Sequence, residues 1–274
     1  MGSPLSLLRR QLPSKGSYGC VRLSTHIVKP KFEGGESMKQ RIWELDAARG
    51  VCILGMVVFH LLYDLQLLFP ILPVGNTPLM NFVATWGGTL FFLISGISAT
   101  LGSHPVRRGL IVTGCGIAVT AVTAIMAALK LIAPGMVIHF GVLHCLGVCM
   151  LLWPIFRKMP RPVVVFLAAC IICVGLYWDS RSFPVPYWLF PLGLKYPGFA
   201  SGDYFPLFPF FGFFLTGTVL GKTLYSSKLS LFPRVNTQNR LIRFLSATGK
   251  WSLPIYMLHQ PVITGIFTLL EVIL

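Results

Sequence analysis

Charge is scarce in this chain. Asp, Glu, Lys and Arg make up 11% of its 274 residues while 54% are hydrophobic; soluble globular chains carry about 25% charged residues. That shortage excludes an ordinary soluble domain. Acidic residues are the rarest charges, eight against 23 basic ones, for a formal net charge of +15. A surplus of that size raises the question of nucleic acid. The basic residues, however, sit at the ends of apolar spans, and no basic stripe interleaved with stacking aromatics lies on a soluble module, so no nucleic-acid partner is expected. A disulfide framework is also missing. The seven cysteines (Cys20, Cys52, Cys115, Cys145, Cys149, Cys170 and Cys173) are odd in number and lie mostly within apolar spans. Cys170 and Cys173 form a CxxC with no second pair, and the set reads as small buried hydrophobes. There is no HxxxH or HxxE spacing, no Gly-x-Ser-x-Gly elbow, no P-loop and no dinucleotide fingerprint, so no metal site is expected.

Long hydrophobic blocks fill the space that charge vacates, and the mean hydropathy is +0.74. Seven spans follow from them, near 43–69, 78–102, 108–132, 138–156, 162–178, 205–222 and 250–272. The expected fold class is therefore an all-α integral membrane protein, a bundle of about seven transmembrane helices. Between the fifth and sixth spans, prolines at 184, 186, 191 and 197 argue against a continuous helix over 179–204. The aromatic residues of that segment suit an interfacial, partly re-entrant cap.

Two domains are expected, an extension at 1–38 and a membrane domain at 39–274. Residues 1–38 are rich in Arg, Lys, Ser, Gly and Pro and lack the hydrophobic core of a signal peptide. They read as a disordered basic extension. Met38, just before the first span, is a natural alternative start, and finding residues 1–37 at the native N-terminus would exclude it. Of the 23 basic residues, 20 fall on the N-terminal side of the bundle; only Lys130, Arg181 and Lys195 fall on the other. The positive-inside rule then places the N-terminus in the cytoplasm and the C-terminus outside.

The first span carries a polar stripe. On an ideal helix Asp46, Arg49, His60 and Asp64 lie within roughly 60° of one another. Arg49 and His60 share a face and stand about 16 Å apart along the axis. Ionisable groups inside a membrane helix are costly and usually functional. His60 and Asp64, at i and i+4, read either as a general base whose tautomer the carboxylate fixes, or as a structural pair joining helices. Asp46 and Arg49 read either as a capping ion pair or as a site where Arg49 meets an anionic group from the cytoplasm.

Other candidates lie further along. His144 faces either the same cavity or a neighbouring helix, while His139, about 140° away, reads as interfacial. Tyr256 and His259 are i, i+3 neighbours before Pro261, fit for helix packing or for chemistry. Asp203 reads as an N-cap for the sixth span or as a substrate contact at the outer mouth. Gly87-Gly88 and Ser95-Gly96-Ile97-Ser98 read as close helix contacts.

Arg41-x3-Leu45-Asp46-x2-Arg49-Gly50-x9-His60 resembles the first-helix signature of multi-pass membrane acyltransferases. The closer similarity is to bacterial members of the heparan-α-glucosaminide N-acetyltransferase catalytic-domain family. Phe91–Gly96, Phe140–His144, Asp203–Gly212 and Ser252–Pro261 support it, in order, over about residues 39–270. The resemblance implies transfer of an acyl group, acetyl by preference, from cytoplasmic acetyl-CoA to an amino-sugar or glycan acceptor on the outer side of a bacterial cytoplasmic membrane. It implies His60 as the central catalytic residue, with Asp64 orienting it, and Arg49 near the CoA entrance. The pattern around His60 is nearer the bacterial O-acyltransferase form, and no large luminal domain is present. The competing class is a transporter or channel that uses the same stripe, although no inverted repeat or paired broken helices support one. The acceptor, the acyl group, the formation of an acyl-enzyme and the oligomeric state, a homo-oligomer included, are left open by the sequence.

Overall fold

The computed structural model describes residues 42–68, 77–179, 181 and 183–273, and the extension at 1–38 lies outside them. Among the described residues the regular structure is helical: α1 (Trp43–Leu68), α2 (Pro78–Leu101), α3 (Pro105–Ala128), α4 (Val142–Phe156), α5 (Arg161–Asp179), α6 (Leu207–Leu224), α7 (Arg240–Lys250) and α8 (Ser252–Ile273). Each of the seven apolar spans coincides with one helix. Five of them, α1, α3, α5, α6 and α8, are long and apolar enough to cross a membrane, whereas the apolar parts of α2 and α4 are shorter. The eighth helix, α7, lies in what hydropathy alone reads as a loop.

Local chemistry explains where the helices start. Thr77 caps α2, its hydroxyl accepting from the Met80 amide at 3.3 Å, and Pro78 follows at the first helical position. Pro105 opens α3 in the same way. Asn239 caps α7, accepting from the Leu241 amide at 2.9 Å.

The core is shared by α2, α4, α5 and α6. Phe92, Trp153, Phe214, Leu215, Cys145 and Cys149 have essentially no exposure. Where α2 crosses α6, glycine is required on both sides: a Cβ on Gly96 would strike the Phe214 carbonyl, and one on Gly217 the Leu93 carbonyl. This is the close contact expected of the Ser95–Ser98 segment. On the other flank α7 lies against the start of α1, Gly249 on the Asp46 carbonyl and Gly50 on the Leu245 carbonyl. The Glu44 carboxylate accepts from the Leu231 amide at 2.7 Å and the Ser230 hydroxyl at 2.9 Å, which ties the loop before α7 to the same turn of α1.

One reading of the cysteines needs correction. Cys145 and Cys149 are buried and Cys52 and Cys115 half-buried, but Cys170 and Cys173 are exposed. Helix α5 buries only the face carrying Val164, Ala168 and Gly175, and the CxxC lies off it.

Segment 179–204 breaks as its prolines require. Tyr187–Leu192 forms a short 3-10 helix after Pro186, and the rest of the described part is irregular. It is held by the Tyr204 hydroxyl on the Phe190 carbonyl at 2.6 Å and by Lys195 on Asp179 at 2.7 Å. His139 is exposed and packs on Phe190 and Phe199.

Candidate active site

Two loops, far apart in sequence, build one wall of the site. The Phe205 amide donates to the Phe140 carbonyl at 3.0 Å, and the Ser201 hydroxyl to the Val137 carbonyl at 3.1 Å. This pairing sets Asp203 beneath the first turn of α4. Its Oδ2 accepts from the Val142 amide at 3.1 Å, where the helix dipole favours negative charge. The same oxygen accepts from the Tyr256 hydroxyl of α8 at 2.9 Å. Asp203 therefore caps α4, whereas the sequence suggested α6. Helix α6 starts after Pro206 with no side-chain cap, because Asp203 is drawn to the vacant amide of α4. Burial raises the Asp203 carboxyl above the ordinary carboxylate range, and the hydrogen bonds from the Tyr256 hydroxyl and the Val142 amide act against that rise. Tyr256→Phe should cost about 1–3 kcal/mol of stability through this lost bond, which a denaturation midpoint in detergent will read.

His60 and His259 meet across α1 and α8, their ring centroids 4.9 Å apart at an interplanar angle of 72°. The Met56 carbonyl lies 2.9 Å from His60 Nδ1. A carbonyl only accepts, so in the neutral ring Nδ1 carries the proton and Nε2 presents a lone pair. The orienting partner of His60 is thus the Met56 carbonyl and not the i, i+4 carboxylate of Asp64. The ring leans towards the helix N-terminus, as helical side chains do, and comes to rest on the carbonyl one turn back. Asp64 is instead drawn across to α8, where its Oδ2 accepts from Gln260 Nε2 at 2.8 Å. His259 repeats the pattern of His60, Nδ1 donating to the Tyr256 carbonyl at 2.6 Å.

Asp46 and Arg49 lie apart from this cluster, whereas His144 stands on the α4 turn that Asp203 caps. Arg49 Nη1 donates to Asp46 at 3.3 Å and Nη2 to the Ser98 hydroxyl of α2 at 2.7 Å. Both side chains are nearly buried, 14% and 12% exposed, so the ion pair is sheltered. It lies eleven residues before His60, about 16 Å along the helix. A cavity of about 660 Å³ opens at the same end of α1, between Trp43 and α7, and is edged by Arg240, Arg243 and Lys250. His144 is turned against α3. Its Nδ1 accepts from the Gly141 amide at 3.3 Å and its Nε2 donates to the Thr120 hydroxyl at 3.2 Å. With both nitrogens committed, His144 fixes the first turn of α4.

Of the residues expected from sequence, the structure gathers His60, Asp64, Asp203, Tyr256 and His259, sets His144 on the α4 turn that Asp203 caps, and leaves Asp46 and Arg49 near the start of α1. Gln260 joins the cluster without having been assigned a part. Its signal was an amide side chain inside an apolar span, where polar groups are expensive.

A family model described as heparan-alpha-glucosaminide N-acetyltransferase, catalytic, matches residues 41–261. The chain belongs to that family. No curated protein matches the chain, and no solved structure does. In this heparan-alpha-glucosaminide N-acetyltransferase family the matched region runs from the start of α1 to Pro261 of α8, so both walls of the His60 cluster lie inside it. The family description is that of an acyltransferase, and the long apolar helices are those of a multi-pass membrane protein.

Proposed function

We propose that the protein is a seven-span membrane acyltransferase that carries an acetyl group from acetyl-CoA on the cytoplasmic side to an amino-sugar or glycan acceptor on the outer side. The N-terminus faces the cytoplasm and the C-terminus the outside, as the 20 basic residues on one side favour. The bilayer is that of a bacterial cytoplasmic membrane, in keeping with the bacterial members that the first-helix motif resembles. The observation that carries the reading is His60: its Nδ1 is fixed on the Met56 carbonyl, which leaves Nε2 as the free nitrogen of the ring, and it stands in a cluster with His259, Asp64, Asp203 and Tyr256.

The chemistry follows from that lone pair. His60 Nε2 takes the proton from the acceptor's O–H or N–H as the freed electron pair attacks the thioester carbonyl. The tetrahedral intermediate collapses with cleavage of the C–S bond, and the departing CoA sulfur recovers the proton from His60. Asp203 and Asp64 favour the imidazolium that forms between the two steps. The anionic part of the donor enters near Arg49 and the basic edge of Arg240, Arg243 and Lys250, which lie at the opposite end of α1.

Incubating purified protein with acetyl-labelled acetyl-CoA and a panel of amino sugars and glycans should release CoA and move label to an acceptor. Solute flux through proteoliposomes with no donor consumed would establish a transporter in its place.

A further inference from the structure

The contact between α1 and α8 leaves two buried hydrogen-bond acceptors without a donor. His60 and His259 each spend Nδ1–H on a carbonyl, which leaves a lone pair at each Nε2. The Tyr256 hydroxyl is spent on Asp203. Gln260 gives its Nε2–H to Asp64. A carboxylate takes only the NH₂ end of the amide, so this bond fixes which way the amide faces and holds Oε1 turned from Asp64. Both Gln260 Oε1 and the neighbouring His259 Nε2 are buried and have no hydrogen-bond partner. Buried polar atoms are nearly always paired, and two unpaired acceptors on consecutive residues mark a place where a donor belongs.

We propose that Gln260 is a recognition residue for the acceptor substrate. Its Oε1, with His259 Nε2 beside it, receives an O–H of the incoming polyhydroxyl compound. Asp64 is a positioning residue that holds the amide for this purpose. The inference rests on the acyltransfer reading above, since it places the second substrate beside His60. A site built to accept a hydrogen bond rejects analogues without the donor, because its own polar atoms are then left unpaired. Selectivity at this contact is thus for donors on the substrate, and not for its shape alone.

Calorimetric binding to the full chain in detergent tests the assignment, with methyl glucosaminide, its fully O-methylated counterpart and acetyl-CoA as probes. Methyl glucosaminide should bind at least tenfold more tightly than the O-methylated form. In Gln260→Met, similar in volume but without the acceptor, that affinity should fall at least tenfold while acetyl-CoA affinity stays within twofold. Equal binding of the two sugars, equal sugar binding by the variant, or no sugar binding at all would overturn the assignment. If Gln260→Met does not insert, the comparison of the two sugars on the native chain decides. The two readings fail separately: sugar selectivity without CoA release sinks acyl transfer alone, whereas CoA release with an unchanged acceptor KM in Gln260→Met sinks the role of Gln260 alone.

Discussion

His60→Ala should abolish acyl transfer, lowering turnover by about 10²–10⁴-fold, the usual contribution of a positioned general base. Folding should survive the change, because the ring is held by one bond to the Met56 carbonyl and by its edge against His259. CoA release measured in parallel for the native chain and the variant, with size-exclusion profiles as the check on integrity, gives the answer. Full activity in the variant would end the assignment of His60 as base. A milder replacement sharpens it: His60→Gln keeps a polar side chain but offers no basic nitrogen. A structural role would tolerate glutamine, and a general base would not.

The second large effect is on stability. Gly217→Val should destabilise the bundle by at least about 3 kcal/mol, a sizeable part of the 5–15 kcal/mol that holds a typical domain. The added Cβ meets the backbone of Leu93, its carbonyl carbon at 2.9 Å and Cα at 3.0 Å. Backbone cannot rotate aside as a side chain does, so α2 and α6 must separate. Phe92 and Phe214, both fully buried near this crossing, then lose their packing. Gly114→Val supplies the control, since a Cβ at Gly114 has no neighbour within 4 Å. Thermal midpoints in detergent should fall sharply for the first variant and stay close to the native value for the second.

Hydropathy reads most of the bundle because lipid-compatible helices must be apolar over nearly their whole length. Helix α7 escapes it for the opposite reason: it has eleven residues and carries Arg240, Arg243 and Lys250. Its contact with α1 is made by small residues, Ser246 and Gly249, which no apolar window detects. Within the site, the stripe on α1 is legible because one helix has a fixed period. The partners of that stripe are not. His259 lies 199 positions from His60, and Gln260 reaches Asp64 from the same distant helix. Proximity in sequence even misleads, as Asp203 shows: it lies four residues before α6 yet caps α4, once the 137–140 and 201–205 loops pair. The tautomer of His60 was also out of reach, since both the Asp64 carboxylate and the Met56 carbonyl lie one turn away on the same helix.

The glycine contact between α1 and α7 has a mechanical meaning. Helix α7 is locked to the first two turns of α1, and α8 begins two residues after α7 ends. The three helices therefore act as a bracket whose hinge end is closed by Gly50 and Gly249 and whose open arms carry His60 and His259. Sliding α1 along its axis drags the root of α8 with it, so the spacing of the two imidazoles is set by a joint some fifteen ångströms below them. A bulky residue at Gly50, ten positions from His60, would splay the arms and mistune the pair.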